Sequence, residues 1–166
     1  ASLEGGIGAV ATASGMAAEF ITFAALCQAG DHLVASSQLY GGTVTQLDVS
    51  LRRFGIETTF VEGTDPADYK AALTENTKAI YTEVVANPSG EIADLEGLAA
   101  VAHEAGIPLV VDATISTPYL IRPLEHGADI VIHSATKFLG GHVEPPSAAW
   151  LLRADGSTGR TATSRS

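Results

Sequence analysis

Asp129-Ile130-Val131-Ile132-His133-Ser134-Ala135-Thr136-Lys137 is the stretch that decides the fold. Its apolar half reads as a buried strand. Its second half delivers a lysine, Lys137, into a loop of small and hydroxylated residues that runs on through Phe138-Leu139-Gly140-Gly141-His142. A lysine is costly to bury, so one expected in such a place calls for a reason. An amine desolvated in a tight site deprotonates more easily and can attack an aldehyde. The hydroxyls of Ser134 and Thr136 are suited to a phosphate. Aldehyde and phosphate together point to pyridoxal 5'-phosphate. A surface lysine on a strand-to-loop turn is the rival reading of this segment alone.

Other segments add to the first reading. Leu109-Val110-Val111-Asp112 is another buried-strand pattern, ending in a carboxylate. Doubly wound folds place ligand-binding groups at the carboxyl ends of their strands. A carboxylate there can keep a pyridine nitrogen protonated, so that the ring accepts electrons. Thr12-Ala13-Ser14-Gly15-Met16 opens a helix, with Ser14 as N-cap and Gly15 letting backbone amides approach an anion. Tyr40, in Leu39-Tyr40-Gly41-Gly42-Thr43, follows a third strand and offers a ring to stack on a planar ligand. Asn87-Pro88 follows a fourth strand and offers an amide. None of these is specific alone; their order along the chain is.

In that order, residues 1 to 142 resemble the Cys/Met-metabolism, or trans-sulfuration, branch of the fold-type I pyridoxal-phosphate enzymes. The resemblance runs from Leu3-Glu4-Gly5-Gly6 to His133-Ser134-Ala135-Thr136-Lys137. Within that branch, Gly90-Glu91-Ile92-Ala93-Asp94-Leu95 and Phe138-Leu139-Gly140-Gly141-His142 are most similar to O-acetylhomoserine sulfhydrylases. Cystathionine γ-synthases and methionine γ-lyases are close alternatives. A non-catalytic truncated remnant is the alternative from another class.

The resemblance implies roles. Lys137 would carry the cofactor and shuttle protons, with a basicity lowered by burial and by the cofactor. Asp112 would pair with the pyridine nitrogen, and Thr114 would sit under the ring. Ala113 stands where the family usually has asparagine, which removes a polar neighbour. Tyr40 would stack on the ring and assist proton transfer. The Gly15 and Met16 amides at the Ser14-capped helix start, with the Ser134 and Thr136 hydroxyls, would hold the phosphate. Asn87 would orient the ring oxygen, supported by Glu83, for which a salt-bridged strand residue is the rival reading. The implied reaction is γ-replacement on O-acetylhomoserine with sulfide, giving homocysteine for methionine biosynthesis. The implied assembly is a homotetramer with shared active sites.

Bulk properties agree with such an enzyme. The chain has 166 residues, enough for one domain, and 46% of them are hydrophobic. A formal net charge of −10 argues against nucleic acid or an anionic membrane as partner. No signal-peptide or membrane-spanning pattern stands out, so the expected location is the cytoplasm. Cys27 is a lone cysteine and reads as a core residue. The histidines are scattered without zinc spacing, and no metal is expected. Gly5-Gly6-Ile7-Gly8 lacks both a preceding strand pattern and G-x-G-x-x-G spacing, which speaks against a nucleotide-binding module.

Short apolar runs alternate with amphipathic segments. Strands are expected at 32–35, 57–61, 78–85, 109–112 and 129–133. Helices are expected at 17–29, 43–54, 65–73 and 94–105, with Asp65 and Asp94 as caps. This is an α/β pattern: a mostly parallel sheet with helices on both faces, here part of a fold-type I large domain. After His142 the character changes. Residues 143 to 166 carry Pro145-Pro146 and many Ser, Thr, Gly and Ala, and read as a disordered tail. They are expected to be out of frame, through gain of the bases GT after the His142 codon. The shifted frame permits a glycine-threonine turn, a glycine pair and a valine-rich strand. The chain itself is expected to be an internal piece, without the family's N-terminal arm or C-terminal domain, and inactive as written. A fresh nucleotide read across the His142 codon is expected to lack the extra bases; an unchanged read ends the frameshift expectation.

Overall fold

A computed structural model of the chain describes residues 1–141 and the backbone of Ala149–Arg153. The elements run β1 (Gly8–Thr12), α1 (Gly15–Leu26), β2 (His32–Ser36), α2 (Gly41–Thr45), β3 (Glu57–Val61), α3 (Pro66–Ala72) and β4 (Thr77–Glu83). They continue with α4 (Leu95–Glu104), β5 (Leu109–Asp112), α5 (Thr117–Leu120), β6 (Ile130–Ser134) and β7 (Ala149–Arg153). The strands form one sheet in the order β1-β7-β6-β5-β4-β2-β3. From β3 to β6 all neighbours pair in parallel. Only β7 runs the other way, between β6 and β1.

The central parallel strands β2, β5 and β6 are largely apolar because both of their faces are covered, whereas the edge strand β3, Glu57–Val61, is partly exposed. Alternation sorts their side chains into two cores. Val34, Ile80, Leu109, Val111 and Val131 face α3 and α4, where Tyr69 and Leu98 are fully buried. Leu33, Ala35, Tyr81, Val110 and Ile132 face α1 and the helical run after β2, packing on Phe23, Leu47 and Leu51. Cys27 lies in this second core.

The helix starts follow from capping. Ser14 Oγ accepts from the Ala17 N–H (3.1 Å), Asp65 from Ala67 (2.9 Å) and Asp94 from Gly97 (3.0 Å). The run expected at 43–54 begins earlier, at Gly41, and is not uniform. It passes through a π turn at Gln46–Ser50 and a 3₁₀ turn at Leu51–Phe54 before Gly55 ends it at φ +76°.

Two strands depart from expectation. Gly8–Thr12 pairs as β1 although its residues are mostly exposed, so no burial pattern announced it. Ala149–Arg153 forms β7 within the segment expected to be an irregular tail. Strand pairing needs backbone donors and acceptors, and a proline-free apolar run supplies them whatever surrounds it. The rest of that tail, 143–148 and 154–166, lies outside the described residues.

Leu98→Ala deletes a fully buried side chain between α4 and the sheet. Denaturant unfolding of the chain is expected to show a loss of about 2–5 kcal/mol.

Candidate functional site

The carboxyl ends of β2, β4, β5 and β6 and the start of α1 meet at one rim of the sheet, around a cavity of about 510 Å³. Every residue singled out above for the cofactor lines this cavity. β1 runs in the same sense as β6, which puts Ser14, Gly15 and Met16 at that rim. β2 leads to Tyr40, β4 to Glu83 and Asn87, β5 to Asp112 and Thr114, and β6 to Ser134, Thr136 and Lys137.

α1 can begin this close to β6 only because Gly15 has no side chain. A Cβ at Gly15 would come 2.9 Å from Ser134 Cβ. The Ala17 amide is taken by Ser14 Oγ and the Ala18 amide by the Ser14 carbonyl. The Gly15 and Met16 amides stand ahead of them at the head of the helix, where N–H groups and dipole favour an anion. Ser134 Oγ and Thr136 Oγ1 lie 2.9 Å apart and present hydroxyls to the same region.

The same cavity is also lined by acids. Asp112 Oδ1 accepts from the Thr114 N–H at 2.7 Å, and the Thr114 hydroxyl accepts from the Ser134 N–H at 2.7 Å. Thr114 therefore ties the ends of β5 and β6 together besides lining the cavity. Ala113 is fully buried in the core on the other face, its N–H bonded to the Ile132 carbonyl at 2.9 Å. Glu83 is structural: its Oε1 accepts from the Tyr40 N–H (2.7 Å) and its Oε2 from the Asn87 N–H (3.1 Å). It holds the loops after β2 and β4 in place, with no salt bridge among the described residues. Tyr40 is half exposed, its ring over Gly42, where a Cβ would come 2.5 Å from Tyr40 Cε1.

Lys137 corrects an expectation. It is exposed at the cavity mouth rather than buried, next to Phe138, which is 68% exposed. The turn after β6 leaves both side chains exposed among the described residues.

Sequence reasoning missed Glu19 and Thr43, which also line the cavity. Glu19 is 4% exposed and accepts from the Thr43 hydroxyl at 2.9 and 3.1 Å. Its signal in the sequence was a carboxylate inside an otherwise apolar helical face, Ala17-Ala18-Glu19-Phe20. Burial, then the nearby Asp112 charge, pushes Glu19 up to about 8. Burial, opposed by its two backbone donors, leaves Glu83 at about 7. Burial also raises Asp112, against the Thr114 hydrogen bonds and His133.

Groups with raised folded-state values stabilise the fold most when protonated in both states. That contribution is complete below their ordinary value near 4.5 and is lost as pH rises through 7 and 8. The thermal midpoint of the chain is expected to fall between pH 5 and pH 8.5. A midpoint that rises over this interval contradicts the assignment.

The Cys/Met metabolism PLP-dependent enzyme family matches residues 1–145. A sulfhydrylase of Fusarium oxysporum is 59% identical over 143 residues, 86% of this chain and 33% of that protein. A homocysteine synthase of Schizosaccharomyces pombe is 52% identical over 143 residues, again 86% and 33%. An O-acetyl-L-homoserine sulfhydrylase of Leptospira meyeri is 48% identical over 142 residues, 86% and 32%. This chain thus spans about a third of the length of these relatives. Among solved structures, cystathionine gamma-lyase of Lactobacillus plantarum superposes with TM-score 0.89 at 38% identity, covering 93% of this chain and 40% of that one. A Campylobacter jejuni chain assigned as an O-acetylhomoserine (thiol)-lyase gives TM-score 0.89 at 34% identity, covering 93% and 38%. It carries N'-pyridoxyl-lysine-5'-monophosphate.

Proposed function

This chain belongs to the Cys/Met metabolism PLP-dependent enzyme family, and on that premise we propose that the protein it represents replaces the γ-substituent of O-acetylhomoserine with sulfide, giving homocysteine. The observation that carries the reading is the convergence of Lys137, Asp112, the α1 start and the Ser134–Thr136 hydroxyl pair on one cavity. Relatives named sulfhydrylase or homocysteine synthase support sulfide as acceptor.

The residues present fit pyridoxal phosphate. Amides and hydroxyls gather at the end where Gly15 leaves room beside Ser134. A carboxylate, Asp112, lines the same cavity from β5, and Lys137 lines it from the turn after β6. When bound, the cofactor supplies an aldehyde for amines and a ring that takes up negative charge from the amino acid. The chain's residues supply the positioning. Gly15 and Met16 amides, with Ser134 and Thr136 hydroxyls, hold the phosphate behind the Ser14 cap. Asp112 would hold the pyridine nitrogen, its carboxylate fixed by the Thr114 N–H. The Asn87 side chain would orient the ring oxygen, and Tyr40 would stack on the ring. Lys137 Nζ would hold the cofactor through its aldehyde and would be the group that moves protons at the amino acid. Glu83 acts through Tyr40 and Asn87, by holding their backbones.

The assembly we infer is a homotetramer in the cytoplasm, with small-molecule partners and neither nucleic acid nor membrane. No described helix is long and apolar enough to cross a membrane. A cystathionine γ-synthase or methionine γ-lyase activity uses the same chain features; the fit to cystathionine gamma-lyase keeps these relatives in view.

Borohydride reduction of the chain with pyridoxal phosphate, followed by peptide mass analysis, is expected to fix a pyridoxyl group on Lys137. Lys137→Ala should abolish that adduct, and Asp112→Asn should weaken cofactor binding about tenfold or more. The complete protein given O-acetylhomoserine should form homocysteine with sulfide faster than cystathionine with cysteine. The reverse preference would move the assignment to a synthase.

A further inference from the structure

Glu19 is a buried acid that the proposed chemistry does not use. It projects from α1 into the same wall as Asp112 and Glu83, and among the described residues it makes no salt bridge. An unpaired buried carboxylate is costly, and the usual resolution is to stay protonated. The groups facing it are the Thr43 hydroxyl and the Gln46 amide from the helical run after β2, the Tyr81 hydroxyl at 3.4 Å and Glu83 from β4, and Asp112 from β5. Lys137 lines the same cavity.

Gln46 offers a partner for that proton. One orientation of its amide satisfies both ends: nitrogen to the Met16 carbonyl at 3.1 Å, oxygen from the Phe20 N–H at 3.1 Å. That orientation puts the amide oxygen about 3.4 Å from Glu19 Oε2, where the nitrogen would otherwise lie. Two oxygens face each other favourably only if one carries hydrogen. Gln46 opens the π turn, and such turns recur at functional positions.

We propose that Glu19 is a positioning residue that stands in the cavity wall as a neutral carboxylic acid, donating its proton to the Gln46 amide oxygen, so that Asp112 carries the negative charge offered to the cofactor. The role rests on the pyridoxal-phosphate reading above. An ionised Glu19 would repel Asp112 and push it toward its own neutral form, which cannot offer a charge to a pyridinium. Glu83 competes less, because its oxygens are turned to the Tyr40 and Asn87 amides. The raised value of Glu19 agrees with this geometry.

Carbon-13 NMR of the side-chain carboxyls in the full chain tests it without cofactor. Glu19 is assigned by through-bond connection to its backbone, so the result does not depend on a variant folding. Glu19 is expected to keep the protonated shift at pH 6 and to titrate near pH 8. Glu19→Gln, which mimics the neutral acid, should leave the Asp112 midpoint where it is. A Glu19 midpoint near 4.5, or a Glu19→Gln variant that lowers the Asp112 midpoint by a unit or more, overturns the proposal. Absence of the borohydride-fixed Lys137 adduct would instead sink the pyridoxal-phosphate reading, and the Glu19 titration would still be decided by its own midpoint.

Discussion

Backbone amides at the carboxyl edge of a parallel sheet have lost their strand partners, and once half buried they need acceptors. In this chain side chains of the site supply them. Glu83 takes the amides of Tyr40 and Asn87, Asp112 takes that of Thr114, and Thr114 takes that of Ser134. Three loop segments are thereby locked to the ends of three strands, β4, β5 and β6. The same bonds fix two carboxylates in place, so the groups expected to do chemistry also hold the edge together. A substitution at Glu83 or Asp112 therefore disturbs geometry as well as charge, and loss of activity alone would not separate the two effects.

The close approach of α1 is the second constraint. It depends on Gly15 beside Ser134 and sets the head of a helix against hydroxyls at the end of β6. Asp112, Tyr81 and Glu83 share a sheet face with Ile132 by alternation, and that face looks toward α1. Opposite charge preferences thus line a single cavity: donors at the helix start and carboxylates from Glu19 of α1 and from the ends of β4 and β5.

Much of this was legible because the central strands are continuous apolar runs bounded by glycine, proline and capping acids. Leu109–Asp112 and Glu57–Val61 match their expected bounds, and Ser14, Asp65 and Asp94 cap as read. The ten residues proposed for the cofactor do share a cavity, though their roles rest on family resemblance rather than on spacing. What escaped lacked a periodic signal. β1 is exposed, and β7 lies in a stretch whose composition reads as irregular. The π turn needs a hydrogen-bond shift that propensity does not encode. Glu19 and Gly42 matter through partners distant in sequence or through ring packing, which one-dimensional patterns do not carry.

The exposure of Lys137 separates two things that catalysis at a lysine requires. One is orientation, which the β6 turn and the hydroxyl pair beside it provide. The other is removal of water, which favours the uncharged amine and strengthens every charge interaction around it. The described residues leave that side open: Tyr40 is 53% exposed and Phe138 is 68% exposed. Both are large aromatic side chains at the mouth, where a covering layer would gain most by packing against them. The deep wall behaves differently, since Glu19 and Tyr81 are already out of water. A cavity finished at its floor and open at its rim fixes where charges point before it fixes how strongly they act. The acid wall is set by this chain's own packing, while Lys137 stands exposed among the described residues.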